Sequence, residues 1–581
     1  MRERGVDAYV VPSSDPHQSE YPPEHWKSRQ WISGFHGSAG TVVVTAETAG
    51  LWTDARYYLE AEEVLSGTPF SLFRSGQPEV PQYVDWLSRN LASGSTVSFD
   101  AGVMATATAR RLEDGLADAD IAVLPADDLF DELWLDRPPL PTAAAYLIDE
   151  SLVGETRISK LERTRENMQK LGASVHIIST LDDIAWMLNL RGSDVPFNPV
   201  VLAYLAVEEE GAALFVDPAK LADADRTALG AAGVRVEAYE ALWGYLEALP
   251  RDSRVLYDPH RTSVRLAASL PADASHVERQ NPSTAFKARK TETELSNLRS
   301  CLTADGAAME EFLYWLEEHT GTGASLTERD VAGKLRELRS ARPGFVGESF
   351  ETIAGYGPHG AIVHYRVTEE SNAVLAPGAT LLVDSGGQYE TGTTDITRTV
   401  PVGSVSEQVR RDFTLVLKAH IALARTRFPA GTSGHQLDTL PRSVLWQEGL
   451  NYGHGTGHGV GFFLNVHEGP QRISAMPNSV ALEPGMIVSN EPGLYREGRH
   501  GIRIENLVVV EEEERTDFGR FLGFETVTLC HIERSLIDGS LLTEEERTWV
   551  DDYHRMVWER VSPRLNEPVR SWLAEKTRPL E

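Results

Sequence analysis

In this chain of 581 residues, the side chains able to do chemistry gather between Asp384 and Glu505. The stretch TLLVDSGGQYETGTTDITRTV, Thr380 to Val400, sets an apolar run ending in Asp384 against an alternating run opened by Asp395. Folded as a hairpin centred between Tyr389 and Glu390, it puts Asp384 opposite Asp395. Two carboxylates facing across a ladder repel unless a positive charge sits between them. Taken alone, two Asp residues flanking a turn read as turn chemistry. A second stretch, MIVSNEPGLYREGRHGIRIENLVVV, repeats the arrangement, with Glu491 and Glu505 symmetric about Gly498. One like-charged cross-strand pair is unremarkable; two in one region ask for a common cause, and a cation cluster supplies it. Between them lies the ribbon Gly453-His454-Gly455-Thr456-Gly457-His458-Gly459-Val460-Gly461. With glycine at alternate positions, an extended backbone puts His454, Thr456 and His458 on one face and leaves room for close approach on the other. A lone histidine is usually structural, but two on one face, followed by His467, favour ligation.

The charges agree. Asp384, Asp395, Glu491 and Glu505 are four carboxylates, and His458 would ligate as a neutral imidazole. Two divalent ions neutralise such a set. Oxygen donors with one imidazole and no thiolate favour Mn²⁺, with Co²⁺ and Zn²⁺ as competitors. Paired ions suit hydrolysis of an acyl or phosphoryl bond. No phosphate-binding loop, serine nucleophile elbow or redox motif competes.

The elements that must hold these residues are hairpins backed by a long helix. The helix is announced by a capping box, Thr291-x-x-Glu294, and by Leu295, Leu298, Leu302, Met309, Phe312 and Leu316 at helical spacing, a stripe that reads as core. Two boundaries divide the chain: the proline-rich Arg137 to Pro141, and Asn281-Pro282-Ser283. They delimit domains over 1–137, 138–283 and 284–581. The first two look alike in order. Each runs from a β-rich apolar stretch through a tryptophan and a Gly-Ser turn to a strand ending in Asp, namely Asp54 and Asp217. Two related α/β domains, or chance, explain that. From residue 284 the pattern changes to helices mixed with glycine-punctuated hairpins, an α+β domain.

Composition narrows the classes. The chain carries 55 Lys+Arg against 86 Asp+Glu, a formal charge of −31, with 41% hydrophobic and 24% charged residues. That is a soluble globular composition, and its acidity counts against nucleic acid or an anionic membrane as partner. Only Cys301 and Cys530 occur, so neither a disulfide framework nor a thiolate metal knuckle is expected and the cytoplasm is the expected compartment. The start MRERGVDAYVV lacks a signal-peptide core, and the longest apolar run, Val200 to Val207, is too short to span a bilayer.

In order and flanking residues, Asp384, Asp395, His458, Glu491 and Glu505 resemble the five-ligand dinuclear site of the pita-bread (creatinase-like) metallopeptidases. More closely, HGTGHGVGFFLNVHEGP, VDSGGQYETGTTDITRT and EPGLYREGRHGIRIEN resemble the long three-domain Xaa-Pro aminopeptidases, also called aminopeptidase P. AYVVPSSDPHQSEY, SGFHGSAGT, LWTDARY, LDDIAWMLNLRGSDVPFNPV and KARKTETEL extend the likeness over most of the chain. The resemblance implies creatinase-like α/β domains followed by a pita-bread catalytic domain. It implies that Asp384 binds one metal, His458 and Glu491 the other, and that Asp395 and Glu505 bridge both. His364 and His467 are implied to contact the substrate, and His454 to line the pocket for the second-position proline. Tyr495 and Arg503 are implied to steady the bridging ligands, and Glu491 to shuttle a proton. Peptides with proline at position two are the implied substrates, and a homodimer through the last domain the implied assembly. Asn490 departs from many relatives, which carry an acidic or apolar residue there. Met1 falls almost directly before the first strand, so the family's opening helix is expected to be short or to lie upstream. A prolidase, with much the same ligands, remains the alternative, and a non-catalytic peptide-binding relative a further one. Creatinase lacks the ligands, and methionine aminopeptidases lack the two preceding domains.

Overall fold

The apolar stretch Ala8–Val11 becomes the centre of a six-stranded sheet. Across it, Phe70–Arg74, Ala49–Thr53, Thr41–Thr45, Ala8–Val11, Thr96–Asp100 and Ala122–Ala126 lie side by side in that order. A second sheet follows the same plan with Val234–Glu237, Ala212–Phe215, Tyr204–Glu208, Val175–Ile178, Arg254–Tyr257 and Ser275–Glu278. At each junction the two sheets agree in sense: parallel, antiparallel, antiparallel, parallel, parallel. The faint sequence likeness of the first two segments is therefore a shared topology. This computed structural model describes residues 1–321 and 325–580. They divide into two units, Met1–Glu150 with Glu155–Thr284, and Ser151–Gly154 with Ala285–Glu581. The first is α/β and the second α+β. Among the described residues no helix is long and apolar enough to cross a membrane.

In the second unit the helix Glu292–Gly321 starts at the expected capping box. Thr291 N donates to Glu294 Oε2 at 2.8 Å, and Glu294 N to Thr291 Oγ1 at 3.1 Å. Its apolar stripe serves two ladders. Leu295, Leu298 and Leu302 pack with Ile487, Leu507 and Val509. About two to four turns on, Met309, Phe312 and Leu316 pack with Leu381, Val383, Ile396 and Val400. Burying each such side chain stabilises by roughly 1.5–3 kcal/mol, so one helix ties together the two hairpins that carry the acidic residues. A second helix, Glu407–Ala424, lays Phe413, Leu417 and Ile421 against Leu494, Ile502 and Ile504.

The first hairpin corrects the expected register. Asp384 pairs with Thr397 and Ser385 with Ile396, then Gln388 with Thr393 and Tyr389 with Gly392. The chain turns at Glu390-Thr391, one residue later than a centre before Glu390 requires, so Asp384 faces Thr397 rather than Asp395. Gly392 permits that turn, because a Cβ there would lie 2.9 Å from Leu298 Cδ1 of the backing helix. A partner displaced by two residues stays on the same face, so Asp395 remains a diagonal neighbour of Asp384. The second hairpin has the expected centre. Pairs run from Ile487↔Val509 to Asn490↔Asn506 and again from Gly493↔Arg503 to Arg496↔His500, all symmetric about Gly498. Glu491 and Glu505 stand where that ladder opens.

A buried ion cluster lies elsewhere in this unit. His531 Nδ1 is 2.7 Å from Glu310 Oε2, and its Nε2 is 3.7 Å from Glu533, which Lys576 also meets at 3.0 Å. Glu310, Cys530 and His531 bring metal-type atoms within 4.8 Å of one another, but Glu310 and His531 already neutralise each other. Burial alone would lower the His531 pKa; Glu310 and Glu533 outweigh it and raise the ring to about 9. A raised folded value stabilises fully below the ordinary 6.5 and fades as pH climbs through 9, by an amount on the order of 3 kcal/mol. Glu533 is held below the carboxylate range by His531 and Lys576 against its own burial, so its contribution is present above about pH 4.5. Denaturant unfolding of His531→Gln should therefore fall short of wild type by about 2–4 kcal/mol at pH 6, with the gap narrowing by pH 9.5. An equal gap at both pH values would contradict the charged pair.

Candidate metal centre

The ribbon that carries the histidines is extended over a shorter span than its glycine pattern implies, with a strand only at Gly457–Gly459. Its glycines are required by contact: a Cβ at Gly457 would lie 1.9 Å from Ser489 O, and one at Gly459 2.1 Å from Glu468 O. Thr456 leaves the trio. Its hydroxyl donates to Asp438 Oδ1 at 2.7 Å and lies 2.6 Å from Tyr452 Oη. Asp438 in turn takes Arg442 Nε at 2.6 Å, and Arg442 donates to the carbonyls of Tyr452 and His454 at 2.8 and 2.6 Å. A buried ion pair thus clamps the ribbon from behind.

His458 Nε2 then points at the acidic pairs, 3.4 Å from Asp395 Oδ2 and 3.5 Å from Glu491 Oε1. Asp395, His458 and Glu505 offer ligand atoms within 4.8 Å of one another. Ser489 Oγ bridges the strands, accepting from His458 N at 3.0 Å and donating to Glu491 Oε1 at 3.1 Å. Asp384 Oδ2 accepts from Arg503 Nη2 at 2.5 Å, while its Oδ1 is buried without a hydrogen-bond donor.

The electrostatics show that four carboxylates share one field. Burial foremost, with Asp395 and Glu491, lifts Asp384 to about 6 in spite of Arg503. Burial with Asp395, Asp384 and Glu491 pushes Glu505 well above the carboxylate range. Burial also raises Glu491, against His458 and Arg503. His458 goes the other way: burial would lower it, but Asp395 and Glu491 raise it to about 9. Asp384, Glu491 and Glu505 are each raised in part by neighbouring carboxylates, a repulsion that divalent cations relieve. The mutual field, the orphaned Asp384 oxygen and the donor set of oxygens with one imidazole all fit a pair of divalent ions.

Around these residues runs a directed set of hydrogen bonds. Arg503 Nη1 donates to Tyr495 Oη at 2.7 Å, and Tyr495 Oη lies 2.7 Å from His454 Nε2. Arg503 Nε meets Thr397 Oγ1 at 3.1 Å, and that hydroxyl donates to Glu505 Oε2 at 2.7 Å. His467 stands against His458 with ring centres 4.4 Å apart. Its loop is held from the first hairpin, where Gln388 Nε2 and Thr393 Oγ1 donate to Leu464 O at 2.8 and 3.0 Å. His364 follows the turn Gly357–Ala361, and Arg503 Nη2 lies 3.4 Å from Val363 O beside it. Sequence reading missed Thr397, Ser489, Asp438 and Arg442. Thr397 had a signal, standing two residues from Asp395 on one strand face; Asp438 and Arg442 sit on another element and had none.

Four family models cover most of the chain. Metallopeptidase family M24 matches residues 296–512 and the C-terminal region of peptidase M24 matches 520–580. Creatinase/prolidase N-terminal domains match 1–133 and 136–294. The chain is 42% identical to Aminopeptidase P2 of Arabidopsis thaliana, over 99% of this chain and 86% of that protein. It is 41% identical to a probable Xaa-Pro aminopeptidase P of Laccaria bicolor, over 100% and 92%. Its fold is similar to the crystal structure of X-prolyl aminopeptidase from Caenorhabditis elegans, described as a cytosolic enzyme with a di-nuclear active site. That match has a TM-score of 0.96 and 35% identity, covering 99% and 95% of the two chains. An Xaa-Pro dipeptidase from Bacillus anthracis, at 22% identity and TM-score 0.52 over 65% of this chain, shares the fold.

One contact of the site is tight enough to test alone. A Cβ at Gly501, between Tyr495 and Arg503 in the hairpin, would lie 1.6 Å from Gly360 O in the turn preceding His364. Gly501→Ala should lower unfolding free energy by about 1–3 kcal/mol or more. Gly333→Ala, on a helix with nothing within 4 Å, should be neutral or stabilising by up to about 1 kcal/mol. Equal effects in denaturant titrations would count against this close approach.

Proposed function

The chain belongs to metallopeptidase family M24, and from that premise we propose how it works as an Xaa-Pro aminopeptidase, releasing the N-terminal residue of peptides with proline in second position. It is a hydrolase with a dinuclear metal centre. The carrying observation is the convergence of Asp384, Asp395, Glu491 and Glu505 with His458 inside one field. We assign Asp384 to one ion, His458 and Glu491 to the other, and Asp395 and Glu505 to both; the approach of His458 Nε2 to Asp395 and Glu491 supports this. When bound, the ions supply Lewis acidity toward the scissile carbonyl and make a water molecule acidic enough to attack it.

The chain's own residues do the rest. The Glu491 carboxylate takes the proton of the attacking water and delivers it to the leaving imide nitrogen of proline, which has no hydrogen of its own. Arg503 holds Asp384 and, through Thr397, Glu505, so that ligand oxygens keep their places while charge develops. Tyr495 keeps the His454 ring at the wall of the proline pocket. His364 and His467 contact the substrate near the scissile bond. The acidic surroundings favour a cationic or metal-bound amino terminus, which confines cleavage to the first peptide bond.

A prolidase needs a free cation for the proline carboxylate. Four guanidiniums near the ribbon and hairpins already hold carboxylates, Arg503 with Asp384, Arg442 with Asp438, Arg496 with Asp412 and Arg366 with Glu351, and Arg398 is spent on backbone carbonyls and Asn506. This favours the aminopeptidase. We further propose Mn²⁺ as the resident metal, a cytoplasmic location, and a homodimer through the last domain, for which the exposed Leu440 and Trp446 offer apolar surface. The two like sheets support separate domains over 1–137 and 138–283, ahead of 284–581.

Manganese-loaded protein should release free arginine from Arg-Pro-Pro and little from Arg-Pro. Glu491→Gln should lower kcat on the tripeptide by at least about a hundredfold, and chelation should abolish turnover until metal is restored. Preference for the dipeptide would move the assignment to prolidase, and silence on both with metal bound would leave a binding protein.

A further inference from the structure

Glu491 and Glu505 hang from two strands exactly where their ladder opens, and like charges there push the strands apart. The ladder closes on one side with Asn490↔Asn506 and resumes with Gly493↔Arg503. Something must set the width of the gap. Into it, from the helix Glu407–Ala424, comes His420, which like Asn490 and Asn506 is fully buried. Its Nδ1 lies 3.1 Å from Asn490 O and 3.2 Å from Ile504 O. Those oxygens belong to the peptide groups that lead into Glu491 and Glu505. A single N–H thus spans both peptide planes from which the glutamates project. Asn490 closes the clasp from the other direction, its Nδ2 donating to His420 O on the helix at 2.9 Å.

The hydrogens can be placed in one way only. Arg398 can only donate, and its Nη2 meets Asn506 Oδ1 at 2.8 Å. That orients the amide, so Asn506 Nδ2 is the end facing His420 Nε2, at 3.2 Å. Nε2 therefore accepts, the ring proton sits on Nδ1, and both backbone carbonyls receive it. Burial foremost, with Arg398 adding to it, pushes the imidazole down to about 3, in keeping with a neutral ring. Arg398 Nη1 also holds Glu505 O at 2.7 Å, and Trp549 stands edge-on to the His420 ring with centres 5.7 Å apart.

We propose that His420, oriented by Arg398 and Asn506 and latched by Asn490, is a positioning residue that sets the spacing of Glu491 and Glu505 and with it the affinity for the second metal ion. The proposal rests on the ligand assignment made above. It also gives Asn490 a defined task.

The test is calorimetric titration of chelator-stripped protein with MnCl₂, which reads two affinities without turnover. His420→Phe keeps the ring's bulk and removes the hydrogen bonds at both ring nitrogens. His420→Asn restores a donor near the Nδ1 position. In His420→Phe the second Mn²⁺ should bind at least tenfold more weakly while the first is little changed, and His420→Asn should recover to within about threefold of wild type. Wild-type affinity for both ions in His420→Phe, or no recovery in His420→Asn, overturns the proposal. Should the Phe variant fail to fold, Asn490→Ala, which removes the amide donated to His420 O but leaves that carbonyl its place in the helix ladder, makes the same comparison. A loss of threefold or more in second-ion affinity supports the clasp and no loss overturns it. Glu491→Gln separates the two levels: if it leaves both affinities at wild-type values, the ligand assignment falls and the positioning role with it.

Discussion

Repulsion among Asp384, Asp395, Glu491 and Glu505 is the constraint from which the rest of the catalytic unit follows. Buried carboxylates are costly unless paired, and here the pairing cation within the protein is chiefly Arg503, which holds Asp384 directly and Glu505 through Thr397. One guanidinium cannot balance four acids, so the site is tense by construction and gains most from divalent ions. Binding free energy of such ions is then also folding free energy of the unit that presents the acids. The glycines serve the same end. Gly386, Gly457, Gly459 and Gly501 stand where a Cβ would come within 2.1 Å of a backbone oxygen or nearly so, and strands packed that closely cannot spread to relieve the charge.

The anchors that resist the tension lie outside the acidic pocket. The helix Glu292–Gly321 backs both ladders with one apolar stripe. The helix Glu407–Ala424 fastens the second hairpin by ions as well as by packing: Asp412 accepts from Arg496 Nε and Nη2 at 2.6 and 2.8 Å and lies 2.9 Å from His500 Nε2. Against the effect of burial, Arg496, His500 and Gln408 pull that carboxyl down to about 2, so the clamp stays charged wherever the enzyme works. Because Arg496 and His500 pair across the hairpin, holding both fixes Tyr495 and Arg503 between the turn and the metal-facing end.

What could be read from the sequence was what a strand ladder encodes. Residues symmetric about a turn face one another, so Glu491 and Glu505 were legible from Gly498 outward. Asp384 and Asp395 were legible as a pair but not in register, because a turn centre misplaced by one residue shifts the partner by two while leaving the face unchanged. The long helix was legible from its cap and stripe, and the paired α/β sheets only faintly, since topology can persist where spacing does not. Asp438, Arg442 and His420 were not legible at all. His420 reaches the site from an element far away in sequence, and Asp438 and Arg442 from the helix before the ribbon; a polar residue on an otherwise ordinary helix gives no periodic signal of what it will meet.

The two histidines of the ribbon show how hydrogen-bond direction, rather than proximity, assigns a role. Both lie near Glu491, His454 Nδ1 at 3.9 Å and His458 Nε2 at 3.5 Å. In His454, Nδ1 is 2.7 Å from Gly455 O and so carries the proton, and Nε2 accepts from Tyr495 Oη at 2.7 Å. Both ring nitrogens are committed, which is in keeping with the wall role proposed for this ring. In His458, Nδ1 is again spent on the next carbonyl, Gly459 O at 3.0 Å, but Nε2 faces the acids. A donor hydrogen bond on one nitrogen fixes the tautomer and raises the basicity of the other, the usual arrangement behind a metal-binding imidazole. On the assignment proposed above, the same ribbon yields one ligand and one wall, and the difference is made by Tyr495, which Arg503 holds in place from the far side.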